Sequence, residues 1–496
     1  MQPFIKAFDL IRNLWLRVIL FIAAPVFPYL LPDPYTQAGN VRDESKPAHE
    51  SRVTMTEIIA PHHCNVRGLC RAGSIMAWVD IAAGIAAKRH ATLPSVTRSI
   101  DDVAFLHPVK NGDILTIQAS VNKSWRTSME VGVKVEAQTP LTGERFFVAH
   151  AYLTFVALSP RPQPKTYLGL KWVEHRPTQV PALCPHSDME KKRYDMAEQR
   201  RQSRFKETNK KQPQQLQSIR DLMREWSQGL REHAHQNTAA IKSHPALHAA
   251  AAATTATAAE GEEQPRDKHE DESISSSTGE KSSETLKGDE DEQLSVHHVT
   301  TSNKRKRYSM DPIMQLPFTE TSMETTFAEV VELVMPQHAN TLNITFGGII
   351  IQWLEQCALA SAHRLTRGYL LTASIDSLSF ITPTHVGDVV TIRSIVSRTY
   401  SSSMEVYVSM EAENLQTGET NFTNDAFFTV VAIDKDHIPV RIPRTIPQTE
   451  AEMTLFEGGA NRRAKRLTQK VELINLVNSA SSQGLAAPYI SIPMSP

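Results

Sequence analysis

The sequence predicts an α+β protein made of two tandem domains, each a long central helix wrapped by an antiparallel β-sheet. Two observations lead to this class. The text from residue 63 to residue 158 recurs 275 residues downstream without a gap. In each copy an apolar, helix-like segment comes first, and segments of alternating β-branched residues follow it.

The repeated text is spread over the whole domain. The matching stretches include "SIDDVAF" at 99–105 with "SIDSLSF" at 374–380, "SMEV" at 128–131 with 403–406, and "TGE" at 142–144 with 417–419. A repeat of this length is too long for a solenoid unit, so it indicates duplication of a complete domain.

The N-terminal segment, residues 1–50, carries an amphipathic stretch and then an apolar run, "VILFIAAPVFPYLL", at 18–31. A membrane span needs about 20 apolar residues, and Pro25 and Pro28 interrupt this shorter run. We therefore expect residues 4–31 to contact a membrane surface as an interfacial or hairpin anchor. A targeting peptide and incidental hydrophobicity are the alternatives.

Residues 51–160 are predicted to form the first domain around a central helix at 73–90, "GSIMAWVDIAAGIAAKRH". The helix has no proline and is apolar on nearly every side, so it is expected to be buried all round. Predicted strands follow at 95–106, 113–123, 128–137 and 144–158, separated by turn signals. One long buried helix wrapped by an antiparallel sheet is the hotdog architecture, and residues 321–435 repeat it.

A basic helical segment follows each domain, at 161–235 and within the trailing helix and tail at 436–496. Both helices are expected to begin with a capping box, at 187–190 and 449–452. Three arginines recur in each: Arg200, Arg201 and Arg204 in the first, and Arg462, Arg463 and Arg466 in the second. They have two interpretations, a solvated helix face or contact with a phosphorylated ligand.

Residues 236–320 differ in composition, with an alanine tract followed by acidic text rich in Ser and Glu. Such a segment buries too little apolar surface to offset its ordering entropy, so it is predicted to be a disordered linker. The basic run "KRKR" at 304–307 has two interpretations, a nuclear signal or a solubilising charge run.

The composition argues against several classes of function. A formal net charge of −1 provides no general field that would attract nucleic acid, so no nucleic-acid partner is expected. Four cysteines in 496 residues argue against a disulfide framework and fit a reducing compartment. Cys64 and Cys70 lie near His62 and His63, but their spacing matches no zinc pattern, so no metal site is predicted.

Glycines at the start of each central helix are candidates for substrate binding. Gly347 and Gly348 hold this place in the second copy, and Gly73 follows Ala72 in the first. A helix N-terminus offers free N–H groups and the positive end of the helix dipole. Such a site suits the oxyanion that forms when an acyl carbonyl is attacked.

Each central helix also contains one carboxylate, Asp80 or Glu355, in an otherwise apolar run. It lies seven residues beyond Gly73 or Gly348, two helical turns along and on roughly the same face. A carboxylate is costly there unless it is paired or has a function such as activating water. The alternative is a structural carboxylate that accepts a hydrogen bond from a backbone amide.

Asn65 and Asn340 precede the two helices and complete the set of catalytic candidates, with loop or capping roles as the alternative. Four other recurring residues are interpreted as structural: Asp101, Asp376, His63 and His338. Neither copy contains a G-x-S-x-G motif at these positions, which argues against a serine-esterase mechanism.

The wording "HAN…FGG…W(L/V)(D/E)", followed by "SID…F…P…GD" and "SMEV", resembles the tandem-hotdog acyl-CoA thioesterases, in particular the branch of the cytosolic acetyl-CoA hydrolase and the brown-fat-inducible thioesterase. The resemblance covers about 53–205 and 323–470. It implies hydrolysis of acyl-CoA to a free fatty acid and coenzyme A, with coenzyme A as part of the substrate and no cofactor. Mammalian members of this branch carry a lipid-binding START domain after the hotdogs, and none is expected in this chain.

The resemblance also implies how the residues combine. The two domains form a pseudo-dimer in which the asparagine of one faces the carboxylate of the other, Asn340 with Asp80 and Asn65 with Glu355. The first pair is expected to carry most of the turnover, because its aspartate and the Gly-Gly turn match the family better. The expected assembly is a homo-oligomer, a trimer of tandem pairs. The expected location is the cytoplasm, with membrane association through the N-terminal segment, and the mitochondrion is the alternative.

Two other functions stay open. A hotdog hydratase would need an aspartate with a histidine a few residues on, and we find no such signature. A non-catalytic acyl-CoA-binding module is the second, and the asparagine and carboxylate in each copy argue against it. Neither acyl chain length nor nucleotide regulation is assigned to any residue.

Overall fold

The computed structural model describes residues 45–159, 163–167, 170–210, 213–243 and 320–482. The apolar run expected to contact a membrane surface, nearly all of the predicted linker and the basic run at 304–307 lie outside these residues. Among the described helices, none combines the length and the apolar character that crossing a bilayer requires.

The elements of the first half occur in the order β1 (Lys46–Pro47), β2 (Val53–Ile58), α1 (Ala72–Ala91), β3 (Ser95–Ile100), β4 (Val103–Ala104), β5 (Ile114–Ser124), β6 (Ser128–Gln138), β7 (Arg145–Ala157), β8 (Gln163–Tyr167), β9 (Leu170–Glu174), β10 (Leu183–Cys184), α2 (Asp188–Lys210) and α3 (Pro213–Ser243). Short 3-10 turns precede α1 at Ala48–Ser51 and Pro61–His63. Helix α3 extends beyond residue 235, where the linker was predicted to start, and from Ser227 onward it belongs to a second unit of the chain.

The second half repeats the order of β1 to β7 with their central helix, followed by one short strand and one trailing helix. Its elements are β11 (Glu320–Ser322), β12 (Ala328–Leu333), α4 (Gly347–Leu365), β13 (Tyr369–Ile375), β14 (Leu378–Ser379), β15 (Asp388–Thr399), β16 (Ser403–Asn414), β17 (Thr420–Ile433), β18 (Arg444–Ile446) and α5 (Glu450–Ser482). Its 3-10 turns lie at Glu324–Thr326 and Pro336–His338. The α+β class and the tandem hotdog architecture are therefore confirmed.

Two six-stranded sheets wrap the two central helices. Their strand orders are β14-β3-β7-β6-β5-β2 and β12-β15-β16-β17-β13-β4. Each sheet thus ends on a two-residue strand from the other domain, because β14 pairs with β3 and β4 pairs with β13. The predicted strand at 95–106 is split into β3 and β4 by Asp101 and Asp102, and this break lets β4 leave its own sheet.

Alternating apolar side chains place the core on one face of the first sheet. In β6, Met129, Val131, Val133 and Val135 are fully buried, whereas the residues between them contribute the outer, polar face. The buried side of α1 consists largely of alanines that allow a close approach to this sheet, with Ala82, Ala83, Ala86 and Ala87 at 0% exposure.

The trailing helices begin where the capping boxes predicted. In α2, Glu190 Oε2 accepts from the N–H of Ser187 (3.1 Å), and Ser187 Oγ accepts from the N–H of Glu190 (3.2 Å). In α5, Thr449 and Glu452 make the same two bonds, at 2.8 and 3.2 Å. These bonds satisfy N–H groups that would otherwise lack partners at a helix start.

Candidate active site

The two central helices cross at their N-terminal halves, α1 antiparallel to α4. A Cβ atom built on Gly73 would lie 2.9 Å from Cα of Gln352, and one on Gly348 would lie 2.6 Å from Cα of Ala77. Carbon atoms at these distances overlap, so glycine is required for the helices to approach so closely. The crossing places the start of each helix against the middle of the other.

Asp80 reaches from the middle of α1 to the start of α4. Its Oδ2 accepts a hydrogen bond from the N–H of Gly348 (3.0 Å), and the Thr97 hydroxyl donates to its Oδ1 (2.6 Å). Asp80 is only 3% exposed. Burial raises the pKa of Asp80, while the bonds from Thr97 and Gly348 work against this rise because they stabilise the carboxylate.

Glu355 makes the equivalent contact from α4 to the start of α1. Its Oε2 accepts from the N–H of Gly73 (2.7 Å), and its Oε1 accepts from the N–H of Ala72 (3.1 Å). Burial raises the pKa of Glu355, and the nearby Thr372 hydroxyl and the two amides lower it. The Thr372 hydroxyl is buried and makes no hydrogen bond of normal geometry. The longer side chain of Glu355 therefore accepts hydrogen bonds from two helix amides, whereas Asp80 accepts one from Gly348.

These contacts change the interpretation of the glycines at the helix starts. Gly73 and Gly348 were expected to offer their amides to a substrate oxyanion, but both amides donate to a carboxylate of the other domain. Gly347 also contributes its backbone to Asp80 and lines the adjoining cavity. The physical reason is the tight helix crossing, which brings a buried carboxylate within reach of amides that have no partner inside their own helix.

The two asparagines hold equivalent loops but differ in their amide groups. Asn340 Oδ1 accepts from the N–H of Leu342 (2.8 Å) and Ile344 (3.2 Å), and Asn65 Oδ1 makes the matching pair of bonds. The Asn65 Nδ2 donates across the domain interface to the Leu370 carbonyl oxygen (3.4 Å). Within the described part of the chain, Asn340 Nδ2 has no protein partner, and Asn340 lines the cavity beside Asp80.

The two composite sites differ most in the space beside them. Asp80, Thr97, Asn340 and Gly347 line a cavity of about 580 Å³. Its apolar wall includes Phe155, Leu158, Ile350 and Phe380. At the other site, a space of only about 10 Å³ adjoins Ala72 and Thr372. The space beside Asp80 is thus far larger than the space beside Ala72 and Thr372, two residues that lie next to Glu355.

Thr97 and Thr372 were missed by the sequence reasoning. Both precede the repeated "SID" wording, in "TRSID" and "TASID", and their numbers differ by the same 275 residues as the rest of the repeat. That shared position was an available signal. A threonine in a strand, however, more often contributes its methyl group and β-branching to the sheet than a hydroxyl to a site.

The two recurring histidines have the structural role that was predicted. His63 Nδ1 accepts from the N–H of Ala60, and His338 Nδ1 accepts from the N–H of Met335, both at 3.1 Å. Each ring meets a tryptophan edge-on, His63 against Trp78 with ring centroids 4.7 Å apart. Burial lowers the pKa of His63, which favours the neutral ring that accepts this hydrogen bond.

Four of the six recurring arginines of the trailing helices form ion pairs with carboxylates of the two domains. Glu130 and Glu405, from the two "SMEV" stretches, are 0% exposed. The ion pairs are Arg200–Glu130 (2.5 Å), Arg204–Asp101 (2.7 Å), Arg462–Glu405 (2.7 Å) and Arg466–Asp376 (2.8 Å). Arg201 and Arg463 instead stack on Trp125 and Tyr400. The structural interpretation of Asp101 and Asp376 fits this geometry.

A second cavity, of about 490 Å³, lies among these ion pairs and is lined by residues of both trailing helices. Burial raises the pKa of Asp376 to about 7 and that of Asp101 to about 6, although Arg466 and Arg204 oppose the rise. The arginines that line this cavity are paired with carboxylates. The cavity therefore differs from the one at Asp80, where a buried carboxylate lies in the same space as the amide of Asn340.

Comparison with known protein families gives two matches to the model described as "Thioesterase superfamily", at residues 68–144 and 342–419. The chain is 27% identical over 421 residues to the acetyl-coenzyme A thioesterase of Mus musculus, an alignment that covers 84% of this chain and 58% of the relative. It is 36% identical over 146 residues to an uncharacterized acyl-CoA thioester hydrolase of Bacillus subtilis, covering 29% of this chain and 85% of that protein. This chain thus spans somewhat more than half the length of its full-length mammalian relatives.

Among solved structures, an acyl-CoA hydrolase from Bacillus cereus is similar to part of the chain. The two are 32% identical, and the match covers 32% of this chain and 95% of that one with a TM-score of 0.31.

Proposed function

This chain belongs to the tandem-hotdog acyl-CoA thioesterases, and we propose from that premise that it hydrolyses acyl-CoA to a free fatty acid and coenzyme A. The observation that supports this proposal most directly is the cavity at Asp80. It combines a buried carboxylate, an amide donor from Asn340 and an apolar wall in one space of about 580 Å³. Those are the groups that thioester hydrolysis needs beside an acyl chain.

In the proposed reaction Asp80 acts as a general base. Its carboxylate takes a proton from a water molecule, and the water oxygen forms a bond to the thioester carbon. Asn340 Nδ2 donates to the oxyanion that develops on the carbonyl oxygen. The C–S bond then breaks, and the proton held by Asp80 passes to the departing thiolate, which regenerates the carboxylate and releases coenzyme A.

The positions of Thr97 and Gly348 suit this role. Their hydrogen bonds fix the Asp80 carboxylate in one orientation and favour its charged form at a buried position. Glu355 and Asn65 lack a comparable space, and the Asn65 amide is bonded to Leu370. We therefore propose that turnover occurs mainly at the Asp80 site and that Glu355 chiefly braces the start of α1.

A thiol-release assay with acyl-CoAs of graded chain length tests the function. Saturable release of one thiol for each carboxylic acid formed is the expected result. A non-catalytic acyl-CoA-binding module would bind these compounds without releasing thiol, and a hydratase would convert an enoyl-CoA with its thioester intact. Either result would reject the proposed hydrolysis.

We also propose a homo-oligomer, a trimer of tandem pairs. Apolar side chains are exposed on the edge strands of both sheets, with Ile58 on β2 at 66% and Val331 on β12 at 52%. Such edges favour association with another copy. Light scattering should give three times the chain mass, and a monomer at micromolar concentration would reject this assembly.

For location, we propose the cytoplasm, with contact to a membrane surface through residues 4–31 and the mitochondrion as the alternative. We propose no nucleic-acid partner, because the formal net charge of the chain is −1. Cell fractionation of the full chain and of a variant lacking residues 1–44 tests the membrane contact. Equal recovery of both in the soluble fraction would reject it.

A further inference from the structure

The rim of the Asp80 cavity carries groups that the proposed chemistry does not use. Arg98, His175 and His385 line the same cavity as Asp80 and Asn340. Arg98 is exposed, and its Nη1 donates one long hydrogen bond, 3.4 Å, to the carbonyl oxygen of Ile381. Among the residues that the structure describes, no carboxylate pairs with this guanidinium. Arg98 therefore presents most of its donors to the cavity rim and to solvent.

The backbone holds Arg98 at the junction of the two domains. Its carbonyl oxygen accepts from the N–H of Phe380 (2.9 Å), and the ladder between β3 and β7 is irregular between Thr97 and Ser99. The preceding residue, Thr97, bonds to Asp80 inside the cavity. Thr97 thus binds the buried carboxylate of Asp80, and the next residue, Arg98, lies exposed at the rim of the same cavity. This arrangement suits a long ligand whose reactive end enters the cavity and whose charged end stays outside.

We propose that Arg98 binds a phosphate group of the coenzyme A moiety at the rim of the Asp80 site. The inference rests on the proposed function, because it takes an acyl-CoA thioester as the ligand. A guanidinium matches a phosphate with paired, charge-assisted hydrogen bonds and keeps its charge at every physiological pH. Among the residues that line this cavity, Arg98 is the one with a permanent positive charge, and the apolar side chains of Phe155, Ile350 and Phe380 suit the acyl end of the ligand instead.

The second composite site lacks this feature. The position equivalent to Arg98 is Ala373, and the position equivalent to His385 is Lys110 in the first copy. The arginine thus occurs beside the cavity of about 580 Å³ and not beside the space of about 10 Å³. This distribution would be expected if Arg98 serves the substrate rather than the fold, which is common to both copies.

The test compares an acyl-CoA with the matching S-acyl-N-acetylcysteamine, a thioester that carries no phosphate. Arg98→Gln removes the charge and keeps a polar side chain at the rim. We expect the ratio of kcat/KM for acyl-CoA to kcat/KM for the phosphate-free thioester to fall roughly tenfold in Arg98→Gln, as loss of a charge-assisted hydrogen bond predicts. In the unmodified chain the same ratio should fall as ionic strength rises.

Lys110→Gln is the matched control, because it removes the same charge from an exposed position that does not line the Asp80 cavity. It should leave the ratio unchanged. An unchanged ratio in Arg98→Gln would overturn the phosphate assignment while hydrolysis itself still stands. An equal loss with both thioesters would also overturn it, since the phosphate-free compound has nothing for this charge to bind.

If the unmodified chain hydrolyses neither thioester, the proposed function fails, and calorimetric titration with coenzyme A decides the phosphate site separately. Weaker binding of coenzyme A by Arg98→Gln than by Lys110→Gln supports the assignment. Equal binding by the two variants overturns it.

Discussion

Asp80 and Glu355 occupy equivalent positions in the repeat, yet their oxygens have different partners. Asp80 accepts from one helix amide and one hydroxyl, whereas Glu355 accepts from two helix amides. The amide of Asn or Gln retains one acceptor oxygen and loses the negative charge. Replacement of either carboxylate by its amide therefore tests chemistry while a hydrogen bond to the helix start is preserved.

We expect Asp80→Asn to lower kcat by roughly 10²- to 10⁴-fold, the range for loss of a general base. Glu355→Gln should change kcat by less than about fivefold, because almost no space adjoins that site. Asp80→Asn combined with Asn340→Ala should cost little more than either change alone, since residues that act as a unit are not additive. Steady-state thiol release compares the four variants with the unmodified chain, and near-normal kcat in Asp80→Asn would reject the assignment.

The pH dependence of kcat/KM should change when the hydrogen bond from Thr97 to Asp80 is removed. Burial raises the pKa of Asp80 and the Thr97 hydroxyl lowers it, so Thr97→Val should raise the pKa further. The base must be deprotonated to act, and the acid limb of kcat/KM should therefore move to higher pH, with kcat reduced. Thr372→Val is the control and should leave that limb in place. A limb that stays fixed in Thr97→Val would mean that Asp80 does not set it.

The presence of Asp80 and Asn340 at one cavity agrees with the predicted pairing, whereas the inequality of the two sites was predictable only in part. The repeat aligns Asn65 with Asn340 and Asp80 with Glu355, and the family resemblance supplied their cross-pairing. The cavity volumes depend on how side chains pack around each carboxylate. Phe105 and Phe380 illustrate this, since they are equivalent in the repeat, yet Phe105 is buried and Phe380 is half-buried at the cavity.

At the scale of elements, the crossing of α1 and α4 depends on glycine. Gly73→Ala would place a methyl group 2.7 Å from Glu355 Oε2 and 2.9 Å from Cα of Gln352. The helices would have to separate, and we expect a loss of about 1–3 kcal/mol or more in the free energy of unfolding, as for other overpacked cores. Urea unfolding measures this change.

Gly84→Ala, in the same helix, is the matched control. Its methyl group would meet the Phe155 ring at 3.7 Å, which is ordinary contact. Since alanine favours a helix over glycine by about 1 kcal/mol, this variant should be neutral or more stable. An equal loss in both variants would show that helix α1 rejects any added methyl group and that the crossing is not the cause.

Strand and helix positions followed closely from the sequence, but the exchange of edge strands did not. The central helix was expected at 73–90 and is found at Ala72–Ala91. Hydrophobic alternation predicts which side of a strand is buried, but it does not predict which domain supplies the neighbouring strand. The pairing of β14 with β3 depends instead on contacts between residues far apart in sequence, such as Leu378 with Ile100.

At the scale of the whole molecule, each composite site draws on both domains. Residues 45–243 contain Asp80 and Thr97, and residues 320–482 contain Asn340 and Gly348. Each half expressed alone should therefore lack thiol-release activity. Co-expression should restore it, because the helix crossing and the exchanged strands hold the halves together without a covalent link.

Purification through a tag on one half, followed by the thiol-release assay, measures this recovery. A first half that carries Asp80→Asn should co-purify with its partner and remain inactive. Activity in either half alone would contradict the composite arrangement, since it would show that one copy can supply both the asparagine and the carboxylate.

The bonds from Glu355 to Ala72 and Gly73 also bear on how a duplicated sequence can diverge. Duplication is expected to release one copy from selection when a single working site is enough. Glu355 has no such freedom, because two amides of α1 donate to it at a position where its side chain is only 3% exposed. Mutational drift at this position is thus confined to side chains that still present an acceptor oxygen, so a carboxylate or an amide side chain would persist there even where no chemistry depends on it.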